Sequence, residues 1–184
     1  MADLASGDDS ALNKLMERHA EKLFHYLLRL LQNETEASDT AQEAFVKVYQ
    51  SRSKFKQQSK FSTWLYAIAT NLARDRLRWQ IRHPQVSLHG SGGEEKAGLE
   101  DTLSENRPTP SEAIQMQEQA QLVQKAVAKL PEELRVPLVL FEYEQQSHAQ
   151  IAEILHCSAK AVELRLYRAR QKLREALSPI LETT

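Results

Sequence analysis

The chain has 184 residues, of which 41% are hydrophobic and 27% charged, with a formal net charge of −1. This composition is typical of one or two compact helical domains. No run of roughly 18 apolar residues occurs, and the N-terminus MADLASGDD is acidic where a signal peptide would be basic. We therefore expect a cytoplasmic protein that does not insert into a membrane. The single cysteine, Cys157, excludes an internal disulfide framework.

Charge is distributed unevenly along the sequence. Residues 52–82 hold eight basic residues against one acidic residue, and residues 160–175 hold six against two. Residues 94–118 between them hold seven acidic residues against two basic ones. Local potential attracts a phosphate backbone, whatever the total charge of the chain. The near-neutral total is therefore compatible with two nucleic-acid sites flanking an acidic connector.

Apolar spacing predicts two helices before residue 53. The first covers residues 9–31, with Asn33 as its left-handed cap, and the second runs from about residue 35 to residue 52. The second helix should bury small residues together with Phe45 and Val48. Its outward face carries acids, amides and one valine, which is typical of a protein-binding surface, although a solvated face explains the same period equally well. This face consists of Asp39, Gln42, Glu43, Val46 and Gln50.

A third helix, preceded by a basic loop with aromatic ends, extends to about Arg82. One predicted face, assigned to the core, consists of Phe61, Leu65, Ile68, Leu72 and Trp79, and another consists of Trp64, Ala67, Asn71, Arg74 and Arg78. An indole, an amide and guanidinium groups in one line can stack on a base, read a base edge and hold phosphates. The alternative is an ordinary amphipathic helix with solvated arginines. In the loop between Phe55 and Phe61, Ser59 is a candidate helix cap, as is Ser62 just after the loop.

Helical periodicity disappears over residues 83–109. This stretch contains four of the five glycines and is acidic, which predicts a flexible linker between an N-terminal domain, residues 1–82, and a C-terminal domain, residues 110–184. Fully extended, the linker would reach ~90 Å. The alternative, a long ordered surface loop, is uncommon at this length.

The second domain contains a helix-turn-helix pattern. Thr109-Pro110-Ser111-Glu112 predicts the start of its first helix, and a further helix follows Leu130-Pro131. Ser147-His148-Ala149-Gln150 is a capping box before a short helix, and the turn His156-Cys157-Ser158 leads to a helix over about residues 159–177.

The last helix separates into a buried stripe and a basic outward face. The predicted stripe is Val162, Leu166, Ala169, Leu173 and Leu177, and the opposite face is Lys160, Ala161, Leu164, Tyr167, Arg168 and Gln171, with Arg165 and Lys172 on one flank and Arg170 and Arg174 on the other. Small and apolar groups between cations suit a major groove, where apolar groups meet thymine methyls and arginines hold phosphates. A solvated basic helix is the alternative.

Two motif sets resemble bacterial extracytoplasmic-function (ECF) sigma factors. Asp39-x-x-Gln42-Glu43-x-Phe45 and Phe61-x-x-Trp64-Leu65-Tyr66-x-Ile68-Ala69-x-Asn71-Leu72 resemble region 2 of that family. Ile151-Ala152-Glu153-Ile154-Leu155 and Val162-x-x-Arg165-x-x-Arg168-Ala169-Arg170 resemble region 4. Each set alone is a common helical pattern, but both in this order in one short chain are specific. The resemblance implies an all-α fold with a region 2 bundle and a region 4 helix-turn-helix.

The resemblance also implies partners and site residues. Core RNA polymerase would be bound through the clamp helices of its largest subunit and the flap of the second-largest. The implied core-binding residues are Asp39, Gln42, Glu43, Phe45 and Val46. Those for the promoter minus-ten element are Phe55, Lys56, Lys60, Phe61, Trp64, Asn71, Arg74 and Arg78. Those for the minus-thirty-five element are Lys160, Leu164, Arg165, Tyr167, Arg168 and Lys172. An anti-sigma factor, often membrane-anchored, is a further implied partner.

The family pattern is not matched throughout region 4. Glu163 stands where many members carry a basic or small polar residue, Phe141 where a basic residue is frequent, and Gln145 where glycine is frequent. The promoter sequence of other members is therefore not transferable to this chain.

Other functions are compatible with parts of the sequence. A two-domain regulator that binds DNA without polymerase explains the helix-turn-helix but not the stretch from Asp39 to Arg78. An enzyme is not expected, because no glycine-rich phosphate loop, nucleophile elbow or HExxH motif is present. His148, His156 and Cys157 suggest zinc, but they flank a turn and no fourth ligand is evident, so we expect no metal or cofactor.

Overall fold

The computed structural model describes residues 1–56, 59–83 and 110–181. Every regular element in these ranges is a helix, which confirms the expected all-α class. The predicted linker, apart from His83, lies outside the described residues, and so does the predicted cap Thr109.

The first described part forms an N-terminal bundle of four helices. These are α1 (Ala2–Ala5), α2 (Ser10–Leu31), α3 (Glu34–Gln50) and α4 (Phe61–Arg82), with a short 3-10 turn at Arg52–Lys54. Helices α2, α3 and α4 pack on one another in all three pairs. The predicted ranges of the first two long helices are confirmed to within two residues.

The junction of α2 and α3 differs from the prediction in one residue. Gln32, not Asn33, adopts the left-handed conformation that ends α2, with φ 55°. Asn33 is instead the N-cap of α3, and its side-chain oxygen accepts from the Glu36 amide at 2.9 Å. Asparagine is favourable both at the left-handed end of a helix and as an N-cap. Because α2 and α3 are joined so tightly, Gln32 ends α2 and Asn33 begins α3.

The core face of α4 is rotated relative to the prediction. Leu65 is buried as expected, but Ile68 and Leu72 are only half-buried and Trp79 is 45% exposed. Four of the six buried positions are alanine or threonine, which the apolar period does not detect. They are Thr63, Leu65, Tyr66, Ala69, Thr70 and Ala73.

Two hydrogen bonds explain how Thr70 is buried on α4. The Thr70 hydroxyl donates to the Tyr66 carbonyl at 2.6 Å and lies 2.6 Å from the Tyr26 hydroxyl of α2. A buried hydroxyl costs little when its partners are satisfied in this way. The N-terminal end of α4 has Lys60 as N-cap without a side-chain bond, so capping by Ser59 or Ser62 is wrong.

A C-terminal bundle contains the other four described helices. They are α5 (Pro110–Ala128), α6 (Glu132–Glu142), α7 (His148–Leu155) and α8 (Ala159–Leu181). Residues 134–140 of α6 are all buried. Helices α6 and α7 both pack on α8.

The predicted helix-turn-helix is confirmed. The Ser147 hydroxyl accepts from the Gln150 amide, and the Gln150 side chain accepts from the Ser147 amide, so the capping box is complete. His156 ends α7 in the left-handed conformation, with φ 51°. Val162, Leu166 and Ala169 of α8 are buried, whereas Leu173 and Leu177 are half-buried.

No helix among the described residues is sufficiently long and apolar to cross a membrane. Within the same ranges, no cluster of three or more histidine, cysteine, aspartate or glutamate side chains is arranged to hold a metal ion. His148 lies against Phe141, with ring centroids 5.1 Å apart.

The Tyr26 hydroxyl provides a test of the buried network. Tyr26→Phe should lower the free energy of unfolding by about 1 kcal/mol, because Thr70 then loses a buried hydrogen bond. Urea denaturation followed by circular dichroism measures this, with the exposed Tyr143 changed to phenylalanine as the matched control. Equal stability of wild type and Tyr26→Phe would contradict a stabilising role for the bond.

Candidate nucleic-acid and partner interface

The outer face of α3 is present as predicted, with one correction. Asp39, Gln42 and Val46 are exposed, and Val46 reaches 52%. Glu43 is half-exposed. Phe45 points to the opposite side and is 3% exposed, so the structure corrects its expected direct contact with a partner. Phe45 anchors the inner side of α3, where aromatic burial is most favourable.

Glu43 connects this face to a groove between α3 and α4. Its carboxylate lies 3.6 Å from Arg76 of α4 and 3.8 Å from Lys47 of its own helix. The groove has a volume of about 610 Å³, and a hydrogen bond of 2.6 Å from Gln80 to Glu36 joins its two walls. Its lining combines charged side chains with apolar ones, Ile68, Leu72 and Trp79 among them.

Asn71 lies in this groove and is exposed. Its amide is therefore free of the protein core and accessible to a ligand, as the predicted role requires. Asn71 shares its groove with Asp75 and Arg76, whereas Trp64 belongs to a separate aromatic cluster. Trp64 and Asn71, predicted to lie in one line, are thus on different surfaces of α4.

The aromatic cluster forms where the basic loop meets α4. The Phe55 ring lies 5.2 Å from Trp64 and 6.4 Å from Phe61, measured between centroids. His19 of α2 packs edge-on against Phe61 at 5.1 Å. Burial, together with nearby Lys22 and Arg18, lowers the pKa of His19, so the ring favours its neutral form. The cluster holds Phe55, at the start of the loop, close to α4, with Lys56 and Lys60 exposed beside it.

The two predicted phosphate-binding arginines of α4 differ in their surroundings. Arg78 is 66% exposed and lies 3.7 Å from Asp75, a weak surface pair. Arg74 is only 22% exposed, and its Nε donates to Glu132 of the C-terminal bundle at 2.6 Å. Arg74 is therefore engaged by protein in this structure, which its sequence position does not reveal.

Helix α8 presents the predicted basic face to solvent. Leu164 is 48% exposed and Tyr167 66%, and Lys160, Arg168 and Lys172 are exposed as well. Arg165 is half-buried, and one of its terminal nitrogens lies 3.6 Å from the Cys157 sulfur. Arg170, on the other flank, pairs with Glu142 at 2.9 Å. The arrangement leaves an accessible strip of cations and apolar groups, as a recognition helix needs.

Several residues that shape these surfaces were missed in the sequence. In the sequence, Arg76 is only one of the eight basic residues of positions 52–82 and Glu36 carries no signal, because neither belongs to a motif. His19 could have been found from its place one turn after Met16 on an apolar face. Glu132 and Glu144 contact α4 from the other bundle, so no local pattern could have indicated them.

Glu144 is a half-buried carboxylate at the contact with the N-terminal bundle. The Tyr66 hydroxyl donates to it across the two bundles. Burial raises the pKa of Glu144 above its ordinary value, although Tyr66 and the positive charges of Arg29, Lys22 and His25 on α2 oppose the shift. The carboxyl is therefore more easily protonated in the folded chain than in the unfolded one.

Family models match both bundles. A model described as sigma-70 region 2 matches residues 15–82, and one described as sigma-70, region 4 matches residues 120–173. The boundaries agree with the N-terminal bundle and with the helix-turn-helix. The class defined by the fold is thus that of a sigma factor with regions 2 and 4.

Curated relatives extend over almost the whole chain. The RNA polymerase sigma-H factor of Pseudomonas aeruginosa is 34% identical, over 95% of this chain and 90% of its own length. The ECF RNA polymerase sigma factor SigW of Bacillus subtilis is 34% identical, over 93% and 91%. The ECF RNA polymerase sigma-E factor of Escherichia coli is 31% identical, over 95% and 91%.

Solved structures show the same fold. The structure of CnrH in complex with the cytosolic domain of CnrY has a TM-score of 0.70 and 28% identity, and the match covers 97% of this chain and 94% of CnrH. The sigma factor RpoE from Bartonella quintana, solved with the anti-sigma factor NepR, has a TM-score of 0.66 at 20% identity, covering 90% and 96%. With these relatives, the chain belongs to the ECF RNA polymerase sigma factors.

The raised pKa of Glu144 predicts a pH dependence. Its protonated form contributes stability that is fully present below the ordinary glutamate pKa, about 4.3, and is lost as pH rises through the raised value. The stability of the wild type relative to Glu144→Gln should therefore decrease as the pH rises from the ordinary glutamate pKa to the raised pKa of Glu144. Urea denaturation from pH 4 to 8 measures the difference, with Glu133→Gln as an exposed control. A difference independent of pH would contradict the shift.

Proposed function

We propose that this sigma factor docks on core RNA polymerase through the outer face of α3 and positions two promoter-reading surfaces, one in each bundle. The observation that carries the proposal is the combination of that exposed mixed face with a capped helix-turn-helix in one chain. The clamp helices of the largest subunit are the expected partner of α3, and the flap of the second-largest subunit is expected to hold the C-terminal bundle. A regulator that acts without polymerase has no use for the α3 face.

The minus-ten element is assigned to the aromatic cluster, the adjacent loop and the neighbouring groove. Flipping a base out of the stack costs a few kcal/mol, and aromatic stacking returns about 1 to 3 kcal/mol per base. Phe55, Phe61 and Trp64 supply ring surface, and Lys56 and Lys60 supply charge for the backbone. Asn71 is placed to read a base edge from the groove, with Arg78 on the flanking phosphate.

The minus-thirty-five element is assigned to α8 as duplex DNA. A recognition helix enters the major groove with the preceding helix across the backbone. Leu164 and Tyr167 provide apolar contacts, and Arg168 is exposed between them and Lys172. Arg165, held beside Cys157, is suited to a fixed phosphate contact.

Regulation by an anti-sigma factor is supported by the solved structures, in which RpoE binds the anti-sigma factor NepR and CnrH binds CnrY. In this chain the groove between α3 and α4 offers an apolar floor beside the polymerase-binding face. A partner seated there would block α3. We infer a cytoplasmic, non-enzymatic protein, since its proposed partners are polymerase and chromosomal DNA and the proposed sites bind without bond chemistry.

Transcription in vitro tests the function as a whole. Core polymerase and a library of genomic fragments, with and without this chain, should give defined start sites only when the chain is present. The upstream sequences of those sites should share two elements. Identical transcripts with and without the chain would contradict the proposal.

The α3 contact can be tested without disturbing the groove. Asp39→Ala with Gln42→Ala should raise the Kd for core polymerase about tenfold, equivalent to about 1.4 kcal/mol, because direct polar contacts are lost. Glu43 is left intact, since its ion pair with Arg76 has a structural role. A fluorescence titration provides the measurement, and Glu17→Ala with Glu21→Ala on α2 is the control. Equal loss in both double variants would place the contact elsewhere.

Arg168 distinguishes base reading from phosphate binding on α8. Arg168→Ala should cost about 1 to 3 kcal/mol at one promoter position and relax preference there. Binding of holoenzyme to promoters with single-base changes is measured, and Arg174→Ala, which removes the same charge from another side of α8, is the control. If Arg168→Ala weakens all sequences equally, Arg168 contacts a phosphate instead.

A further inference from the structure

The two bundles are in direct contact through the helix assigned to the minus-ten element. Helix α4 packs on α7, and α2 packs on α6. Buried apolar side chains of both bundles form one continuous cluster. The contact therefore covers Ser59 of the loop that the proposed function gives to DNA, and Arg74, which the family resemblance assigns to the minus-ten element.

Glutamates of the C-terminal bundle occupy the polar positions on this surface. Glu132 accepts from Arg74 at 2.6 Å, and Glu153 accepts from the Ser59 hydroxyl at 2.9 Å. Glu144 accepts from Tyr66. A carboxylate presents the same kind of acceptor to a guanidinium as a phosphate does. Arg74 is thus paired with a carboxylate of the same chain, Glu132, in the way that it would pair with a phosphate.

The helix-turn-helix is also engaged. Gln150 of α7 lies 3.4 Å from the buried Thr63 hydroxyl of α4, and Glu153 is on the same helix. In a helix-turn-helix the first helix crosses the DNA backbone. Here that helix faces α4. The arginine Arg29 of α2 adds a further contact, with its guanidinium 4.3 Å from the Tyr143 ring centre.

Promoter geometry does not allow this contact during recognition. The minus-ten and minus-thirty-five elements are about 25 base pairs apart, which at about 3.4 Å per pair is ~85 Å of duplex. Helices α4 and α7 are in contact in this structure. On a promoter, α4 would lie at the minus-ten element and α7 at the minus-thirty-five element, so the two helices would be separated by about that distance. The arrangement in the structure and the promoter-bound arrangement therefore exclude each other.

We propose that the C-terminal bundle competes with promoter DNA for the N-terminal bundle, with Glu132 in the place of a DNA phosphate on Arg74. This closed form is intramolecular and needs no inhibitor protein. It rests on the proposed function for the identity of the competing ligand, but the closed form itself does not. Only the open fraction of the chain can bind promoter DNA through α4. The apparent affinity of the chain for DNA is therefore the intrinsic affinity multiplied by that fraction.

The distance between the bundles in the free chain tests the closed form. Spin labels at Glu17→Cys of α2 and Gln121→Cys of α5, exposed positions outside the assigned binding surfaces, are introduced with Cys157→Ser, and distances are measured by pulsed electron resonance. The chain should give one narrow distribution. Glu132→Lys, which places two cations together, should broaden and lengthen it. Glu133→Lys makes the same charge change on the adjacent exposed residue and should leave it unchanged.

A charge exchange separates the ion pair from general effects on folding. Arg74→Glu combined with Glu132→Lys restores opposite charges and should restore the narrow distribution. If the unaltered chain already shows the broad distribution of Glu132→Lys, the closed form is refuted. If Glu132→Lys and Glu133→Lys give the same result, the pair with Arg74 does not hold the bundles together.

Core polymerase and promoter DNA complete the test. Their addition should replace the short distance by a long one, and holoenzyme with Glu132→Lys should bind promoter DNA up to about tenfold more tightly than holoenzyme with Glu133→Lys. A promoter complex that keeps the short distance would overturn the competition. Failure of the unaltered chain and both variants to bind core polymerase would instead overturn the proposed function, while the distances in the free chain still decide on the closed form.

Discussion

The rest of the structure depends on how α4 is rotated against α2, and a buried hydroxyl network between these two helices constrains that rotation. Tyr26, Thr70 and Tyr66 form a hydrogen-bonded series from α2 into α4, in a site where Tyr26 and Thr70 are fully buried. Buried hydroxyl groups are costly unless each finds a partner, so the rotation of α4 is fixed by geometry as well as by apolar contact. Burial also raises the pKa of Tyr26, which keeps its hydroxyl protonated.

Once its rotation is fixed, α4 presents three different surfaces. One contributes the groove shared with α3, one supports the aromatic cluster and the basic loop, and one meets the C-terminal bundle. Tyr66 connects the buried hydroxyl network to the contact between the bundles, since its backbone carbonyl accepts from Thr70 while its hydroxyl donates to Glu144. The proposed promoter surface and the contact between the bundles are therefore neighbours on a single helix.

Local patterns predicted most of the fold. Amphipathic periods located α2, α3 and α8, and the Ser147 capping box located α7, because these signals involve residues close in sequence. The predicted core face of α4 is wrong, since the buried positions include alanine and threonine, and the burial of Thr70 depends on Tyr26 some forty residues away. Asn33 was assigned to the wrong helix end because two caps are adjacent. The partner of Arg74 could not be predicted, as Glu132 lies beyond the linker.

The central claim is that one surface of α4 contacts the C-terminal bundle in the free chain and DNA in the initiation complex. A photocrosslinking amino acid in place of Ala67, on the side of α4 that carries Arg74, tests it directly. In the free chain we predict crosslinks to the C-terminal bundle, and in a complex with core polymerase and promoter we predict crosslinks to DNA. The same crosslinks to the C-terminal bundle in both states would contradict the account.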